Sequence, residues 1–149
     1  MARVKLDIPQ GNPVFSTEMP IRVTDLNYGN HLGNDALLGL VHEARVRMLR
    51  SFGYSEMDIG GCGIIMADAM IVYKNEGMYG FDLQVQIYAG EVSRLSFELY
   101  YLVTAGTGQP GMEIARVKTG IVCFDYRQRR VVPVPEDFKI SVLGFRQSC

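Results

Sequence analysis

The segment DLNYGNHLGND, residues 25–35, holds three Asn, two Asp, two Gly and one of the chain's two His residues. Such a set could be a reaction centre, or a turn that caps a helix. An imidazole, whose unperturbed pKa is near ~6.5, suits proton transfer at neutral pH, and His31 supplies one; Asp25 offers a carboxylate. Asn27 brings a carboxamide, which can donate to a carbonyl oxygen or hold a water but cannot take up a proton or form an anhydride with an acyl group. Asn27 is therefore a positioner rather than a base. Gly29 and Gly33 allow a ligand close to the backbone.

The proton acceptor must then be sought in Asp25, His31 or Glu43. Asp25 lies on the same side as Asn27 if the chain is extended; alternatively, it bonds local N–H groups in an Asx-type turn. From the residues alone, His31 reads more often as a hydrogen-bonded structural histidine than as a general base. Glu43 falls within the helical run that follows, where an i,i+4 pair with Arg47 competes with any chemical role. His42 adjoins it, more than two turns from Asn34 and remote from the loop.

A helix must hold these residues. Over 34–52, Leu37, Leu40, Val41, Ala44, Met48, Leu49 and Phe52 recur at three- and four-residue spacing, Leu38 and Val46 widen the stripe, and Gly53 supplies a stop. Asn34 or Asp35 is expected to cap the start. There, unpartnered N–H groups and the positive end of the helix dipole could polarise a carbonyl oxygen lodged near Gly33 to Asp35.

A turn-rich lead-in over 1–14 precedes a first strand in VFSTEMPIRVTDL, where Pro20 suggests an edge or bulge. After the helix, YSEMDIGG reads as a short capped helical turn. Strands are expected over 63–74, 82–93, 95–104 and 113–126, with NEGMYGFD and AGTGQPG among the breaks. Connections this short exclude crossover helices, so the sheet is mostly antiparallel. A basic turn, RQRR, and two prolines then lead into a C-terminal helical segment from about residue 136. The predicted architecture is α+β: an antiparallel sheet of about five strands wrapped around one long central helix. We expect a single domain over 1–149, with its core at 15–138 and a helical tail at 139–149.

A net charge of -1 with 48% hydrophobic residues excludes a disordered acidic chain and offers no basic field for nucleic acid. Cys62, Cys123 and Cys149 have neither CxxC spacing nor an even count, which points to reduced thiols in a cytoplasmic protein. The sequence has no apolar run of membrane-spanning length, no clustered His/Cys ligands, no GxSxG elbow and no P-loop. No metal, cofactor, nucleic-acid or membrane partner is expected.

The order of elements, with IRVTDLNYGNHLGN, VHEARVRML and the closing VVPVPEDF, resembles the hotdog-fold thioesterases of the 4-hydroxybenzoyl-CoA thioesterase type over residues 15–138. That family commonly shows an Arg, then Asp-x-Asp-x-x-Gly-His-Val-Asn-Asn, then a helix ending in Glu-Ala-Arg. Arg22, Asp25, His31 and Asn34 match, as do Glu43, Ala44 and Arg45. The family's second Asp, its catalytic carboxylate, is Asn27 here; its Gly before the His is Asn30, and its first Asn after the His is Gly33. Plant-type acyl-ACP thioesterases, also hotdog proteins, carry Asp-x-Asp-x-Asn-x-His-x-x-Asn. Asp25, His31 and Asn34 match that segment too, while Asn27 and Gly29 depart from it.

The resemblance implies hydrolysis of an acyl-CoA thioester at a site shared between subunits of a homodimer or homotetramer. Asn27, His31 and Asp25 are the expected catalytic residues, with Tyr28, Gly33, Asn34, Asp35, Glu43 and Arg94 as substrate contacts. Arg94, Lys118, Arg127, Arg129 and Arg130 could receive the phosphates of CoA, or form a solvated strand end. The eight Met residues suit an adaptable acyl pocket or ordinary core filling. The carboxylate missing at position 27 also admits a non-catalytic acyl-CoA or acyl-carrier binding protein on the same fold.

Overall fold

Helix α1 spans Asn34–Ser51 in the computed structural model, which describes residues 3–107 and 111–145. Its apolar stripe is buried, with Leu37, Val41, Ala44 and Met48 at 1% exposure or less, so burial of that face rather than intrinsic propensity stabilises it. Gly53 ends it at φ +83°, where its N–H donates to the Arg50 carbonyl and that of Tyr54 to Leu49. This is the paired bonding of a Schellman stop.

Five strands form an antiparallel sheet: β1 (Phe15–Pro20), β2 (Gly63–Tyr73), β3 (Asp82–Val92), β4 (Ser96–Thr107) and β5 (Glu113–Asp125), in the order β1-β3-β4-β5-β2. Val85, Ile87, Leu99, Tyr101, Val117 and Ile121 face α1 and are almost wholly buried. One charge lies among them. Arg45, 5% exposed, donates from Nη1 to the Tyr101 hydroxyl at 3.2 Å, and its Nε lies 3.5 Å from Glu56 Oε2. Tyr101 in turn shares a 2.9 Å hydrogen bond with Thr119, so the buried guanidinium is paired rather than isolated.

Several expectations need correction. The first strand stops at Pro20 instead of running on, because the Arg22 amide donates to the Asp25 carboxylate and turns the chain into a 3-10 turn at Val23–Asp25. YSEMDIGG is not helical: Ser55 and Asp58 pair as an antiparallel bridge, and Asp58 Oδ1 accepts the N–H groups of Gly60 and Gly61, both at positive φ. A sixth strand, β6 (Arg130–Val131), pairs with β5. Asp125 Oδ1 closes that hairpin by accepting the Arg127 and Gln128 N–H groups. The C-terminal helix α2 covers only Glu136–Ser141. The middle of the AGTGQPG turn and the last four residues, Cys149 included, lie outside the described residues.

Strand β2 is an uncovered edge, with residues 65–70 exposed and Ile65, Met66 and Met70 among its exposed apolar side chains. Cys62 and Cys123 are free and buried; burial pushes the Cys123 thiol up to about 12 and that of Cys62 also upward, so both stay protonated and unreactive. No helix among the described residues is long and apolar enough to cross a membrane.

Candidate active site at the start of the central helix

The loop before α1 folds back on itself. Leu26 and Leu32 form an antiparallel bridge, the Asn27 N–H donates to the His31 carbonyl at 2.9 Å, and the Asn30 N–H donates to the Asn27 carbonyl at 2.9 Å. Closing this turn puts Asn30 at φ +67°, a left-handed conformation that Asn tolerates better than other side chains. Asn30 can therefore stand where the resembling family has Gly.

The loop is pinned from outside by the segment after β2. The Leu32 N–H donates to the Gly77 carbonyl at 2.7 Å. A Cβ on Gly77 would come 2.8 Å from Ile21 Cδ1 and 3.2 Å from Leu32 Cβ, so the close approach of the two segments depends on glycine.

Between them lies a cleft of about 750 Å³, with Asn27, Tyr28, His31, Asn34 and Asp35 on one side and Tyr73, Lys74 and Glu76 across it. Asn27 Oδ1 accepts the Gly29 N–H at 2.9 Å, which leaves its Nδ2 as the group free to donate. His31 Nδ1 lies 3.2 Å from the Leu32 carbonyl. A carbonyl only accepts, so this contact places a proton on Nδ1 and leaves Nε2 as the acceptor, 3.7 Å from Glu76 Oε1. Across the cleft the Tyr73 hydroxyl donates to the Asn34 carbonyl at 3.0 Å; burial and then the Asp35 charge raise the Tyr73 pKa, keeping it a donor. Tyr28 stands fully exposed at the rim.

The helix start differs from expectation. Gly33, not Asn34 or Asp35, occupies the cap position, and no side chain caps it. The Gly33 N–H is taken by the Asp25 carbonyl at 2.9 Å and the Asp35 N–H by Asn34 Oδ1 at 2.8 Å. Of the three amides put forward as carbonyl donors, only that of Asn34 is without an acceptor among the described residues.

Asp25 sits beneath the loop rather than in the cleft. Its carboxylate accepts the Arg22 backbone N–H at 2.8 Å, Nε at 3.2 Å and Nη2 at 3.1 Å. Burial alone would raise its pKa, but the side-chain and backbone bonds from Arg22 and the guanidinium charge together hold it below the ordinary carboxylate range. The stability from this pair is thus present above the ordinary carboxylate value and is lost as pH falls through the depressed one. Asp25→Asn is expected to lower Tm at neutral pH, with the gap to wild type closing below about pH 4. A gap that persists unchanged in acid would show that the charge is not what holds the turn.

Two of the expected substrate contacts, Glu43 and Arg94, lie elsewhere. Glu43 accepts Arg47 Nε at 3.2 Å in a separate groove shared with Arg22. His42 is bound to Glu56, away from the loop as expected. Arg94 is at the far end of the sheet: Tyr73 pairs with Ala115 and Ile65 with Val122, so eight residues of strand, roughly 26 Å, separate the cleft from that end. Arg127, Arg129 and Arg130 share the far end, with Arg129 over the Phe124 ring, and Lys118 is held by Asp68 and Glu98. Tyr73, Lys74 and Glu76 went unanticipated. Their only trace in the sequence was a charged, Gly-bearing segment directly after a strand.

Residues 21–142 match the thioesterase-like superfamily. A 1,4-dihydroxy-2-naphthoyl-CoA thioesterase from Synechocystis superposes with a TM-score of 0.76 at 21% identity, over 86% of this chain and 94% of that one. A thioesterase from Thermus thermophilus, solved with coenzyme A and Zn, gives a TM-score of 0.76 at 20% identity, over 92% of this chain and all of that one. No curated protein matches. At these identities the structural likeness carries the fold alone, and the sequence match is to the broad superfamily rather than to its 4-hydroxybenzoyl-CoA type. Helix, wrapping sheet and matched span agree: the chain has the hotdog fold and belongs to the thioesterase-like superfamily.

Proposed function

We propose that the protein hydrolyses an acyl-CoA thioester to the free acid and CoA in the cleft at the start of α1. The observation that carries this reading is the meeting of a free Asn34 N–H, the Asn27 carboxamide and His31 Nε2 in one cleft. The superfamily match and a structural neighbour solved with coenzyme A support it.

The thioester oxygen accepts hydrogen bonds from the Asn34 N–H and Asn27 Nδ2, at the positive end of the helix dipole. As the oxygen of a water bonds to the carbonyl carbon, a proton of that water passes to His31 Nε2. The oxyanion then collapses, the C–S bond breaks, and the proton on Nε2 passes to the departing sulfur. The products are a carboxylic acid and a thiol. In this scheme Asp25 holds the turn with Arg22 and moves no proton, while Tyr28 and Asp35 line the entrance.

The same reading places the site between the subunits of a homodimer or homotetramer, because the exposed apolar edge of β2 invites a second copy. Antiparallel pairing of two β2 strands about a two-fold axis sets the Tyr73 end of one beside the Gly63 end of the other. The corner at 125–128 of the second copy would then approach the cleft and bring Arg127 towards the phosphates of CoA.

Thiol release from a panel running from acetyl-CoA to palmitoyl-CoA, with benzoyl-CoA, tests the proposal. Turnover of at least one ester by a sedimenting dimer or tetramer is expected. Folded protein that is stabilised by the esters but turns over none of them would favour the acyl-CoA or acyl-carrier binder that Asn27 also admits. Asn27→Asp is expected to lower kcat by about 10²-fold, since it replaces a donor with a negative charge where the oxyanion forms. A rise in kcat instead would mark the natural protein as a binder or a weakened catalyst.

A further inference from the structure

We infer that Glu76 is the carboxylate that serves this cleft in place of the one missing at position 27, acting through His31 as a positioning residue. The inference rests on the hydrolytic reading above. Glu76 Oε1 lies 3.7 Å from His31 Nε2, and both line the cleft that holds Asn27 and the Asn34 N–H.

Two nearby carboxylates are committed elsewhere. Asp25 is bound to Arg22 beneath the loop, and Glu43 to Arg47 in another groove. Asp35 turns back over the helix start, its Oδ1 only 2.9 Å from where a Cβ on Gly33 would stand. Glu76 has no other ion-pair or hydrogen-bond partner among the described residues, and its side chain is 65% exposed.

Its backbone is nevertheless fixed from both sides. Asn75 donates from its backbone N–H to the Ile114 carbonyl at 3.3 Å and from Nδ2 to the Glu113 carbonyl at 2.7 Å. Gly77 accepts the N–H of Leu32, the residue next to His31. One short hydrogen bond thus sets His31 and Glu76 in register across 45 residues of sequence.

When the water proton reaches Nε2, the imidazole becomes a cation with an anion already in place beside it. Once Nε2 carries the proton, the Nδ1 contact with the Leu32 carbonyl and the attraction of Nε2–H to Glu76 hold the ring at both nitrogens. Glu76 exchanges no proton in this scheme.

The test is steady-state thiol release by the whole oligomer, on whichever ester of the panel the wild type turns over. Glu76→Gln is expected to lower kcat by about tenfold or more with KM little changed, and Glu76→Asp to recover part of the loss. In a His31→Gln background, Glu76→Gln should cost nothing further. Wild-type turnover with an undiminished kcat in Glu76→Gln, or with a full additional loss in the double variant, would overturn this inference alone. No turnover by the wild type would overturn the hydrolytic reading and this inference with it.

Discussion

His31→Gln is expected to lower kcat by about 10³-fold while leaving the fold, and KM for a CoA ester, nearly unchanged. Glutamine is the informative replacement because it is close to histidine in size and its amide can still hydrogen-bond, yet it cannot accept a proton at neutral pH. The loop also has supports independent of this side chain: the Leu26 and Leu32 bridge, the Asn27 N–H to the His31 carbonyl, and the Leu32 N–H to Gly77. A large loss of kcat with an unmoved Tm would therefore belong to proton transfer rather than to folding. The residual rate would report what the Asn34 N–H and the Asn27 amide achieve alone. A kcat within about tenfold of wild type would place the base elsewhere, and the uncommitted carboxylates of the cleft are Asp35 and Glu76.

What was legible in the sequence was local. The α1 stripe and its glycine stop fixed that helix to within one residue, because 3.6-residue periodicity and a left-handed glycine are properties of a short window. The loop side of the cleft was legible for the same reason, since Asn27, Tyr28, His31, Asn34 and Asp35 lie within nine positions. Its other wall was not, because Tyr73 and Glu76 reach the loop only through antiparallel pairing of β2 with β5 and the Leu32 to Gly77 bond. Asp25 misled for a physical reason. Two-residue spacing shares a face only in an extended chain, and the 3-10 turn at Val23–Asp25 directs the carboxylate back to Arg22. The spent amides at Gly33 and Asp35 were equally unreadable, since their acceptors depend on how the loop closes. Charge alone could not tell which end of the sheet the arginines of the RQRR turn occupy.

Phe138→Ala is expected to cost about 3–5 kcal/mol of stability, or roughly 10 °C in Tm, without slowing the folded enzyme. Helix α2 has six residues, too few to hold a helical conformation by itself, so its structure depends on what it packs against. Phe138 supplies that contact: it is 0% exposed, with its ring 5.3 Å from both Tyr54, edge-on, and Phe97, tilted. Tyr54 follows the end of α1 and Phe97 opens β4, so a single ring joins the C-terminal segment to the exit of the central helix and to the sheet. Alanine would leave a cavity where these three elements meet, and the surrounding rings are too large to refill it without leaving their own sites. The cleft lies at the opposite end of α1, so kcat measured well below the new Tm should match wild type. The two variants then separate in opposite senses: His31→Gln loses rate and keeps Tm, whereas Phe138→Ala loses Tm and keeps rate. A Tm loss below about 2 °C would mean that α2 opens independently of the core and that the C-terminal segment does not share its cooperative unfolding.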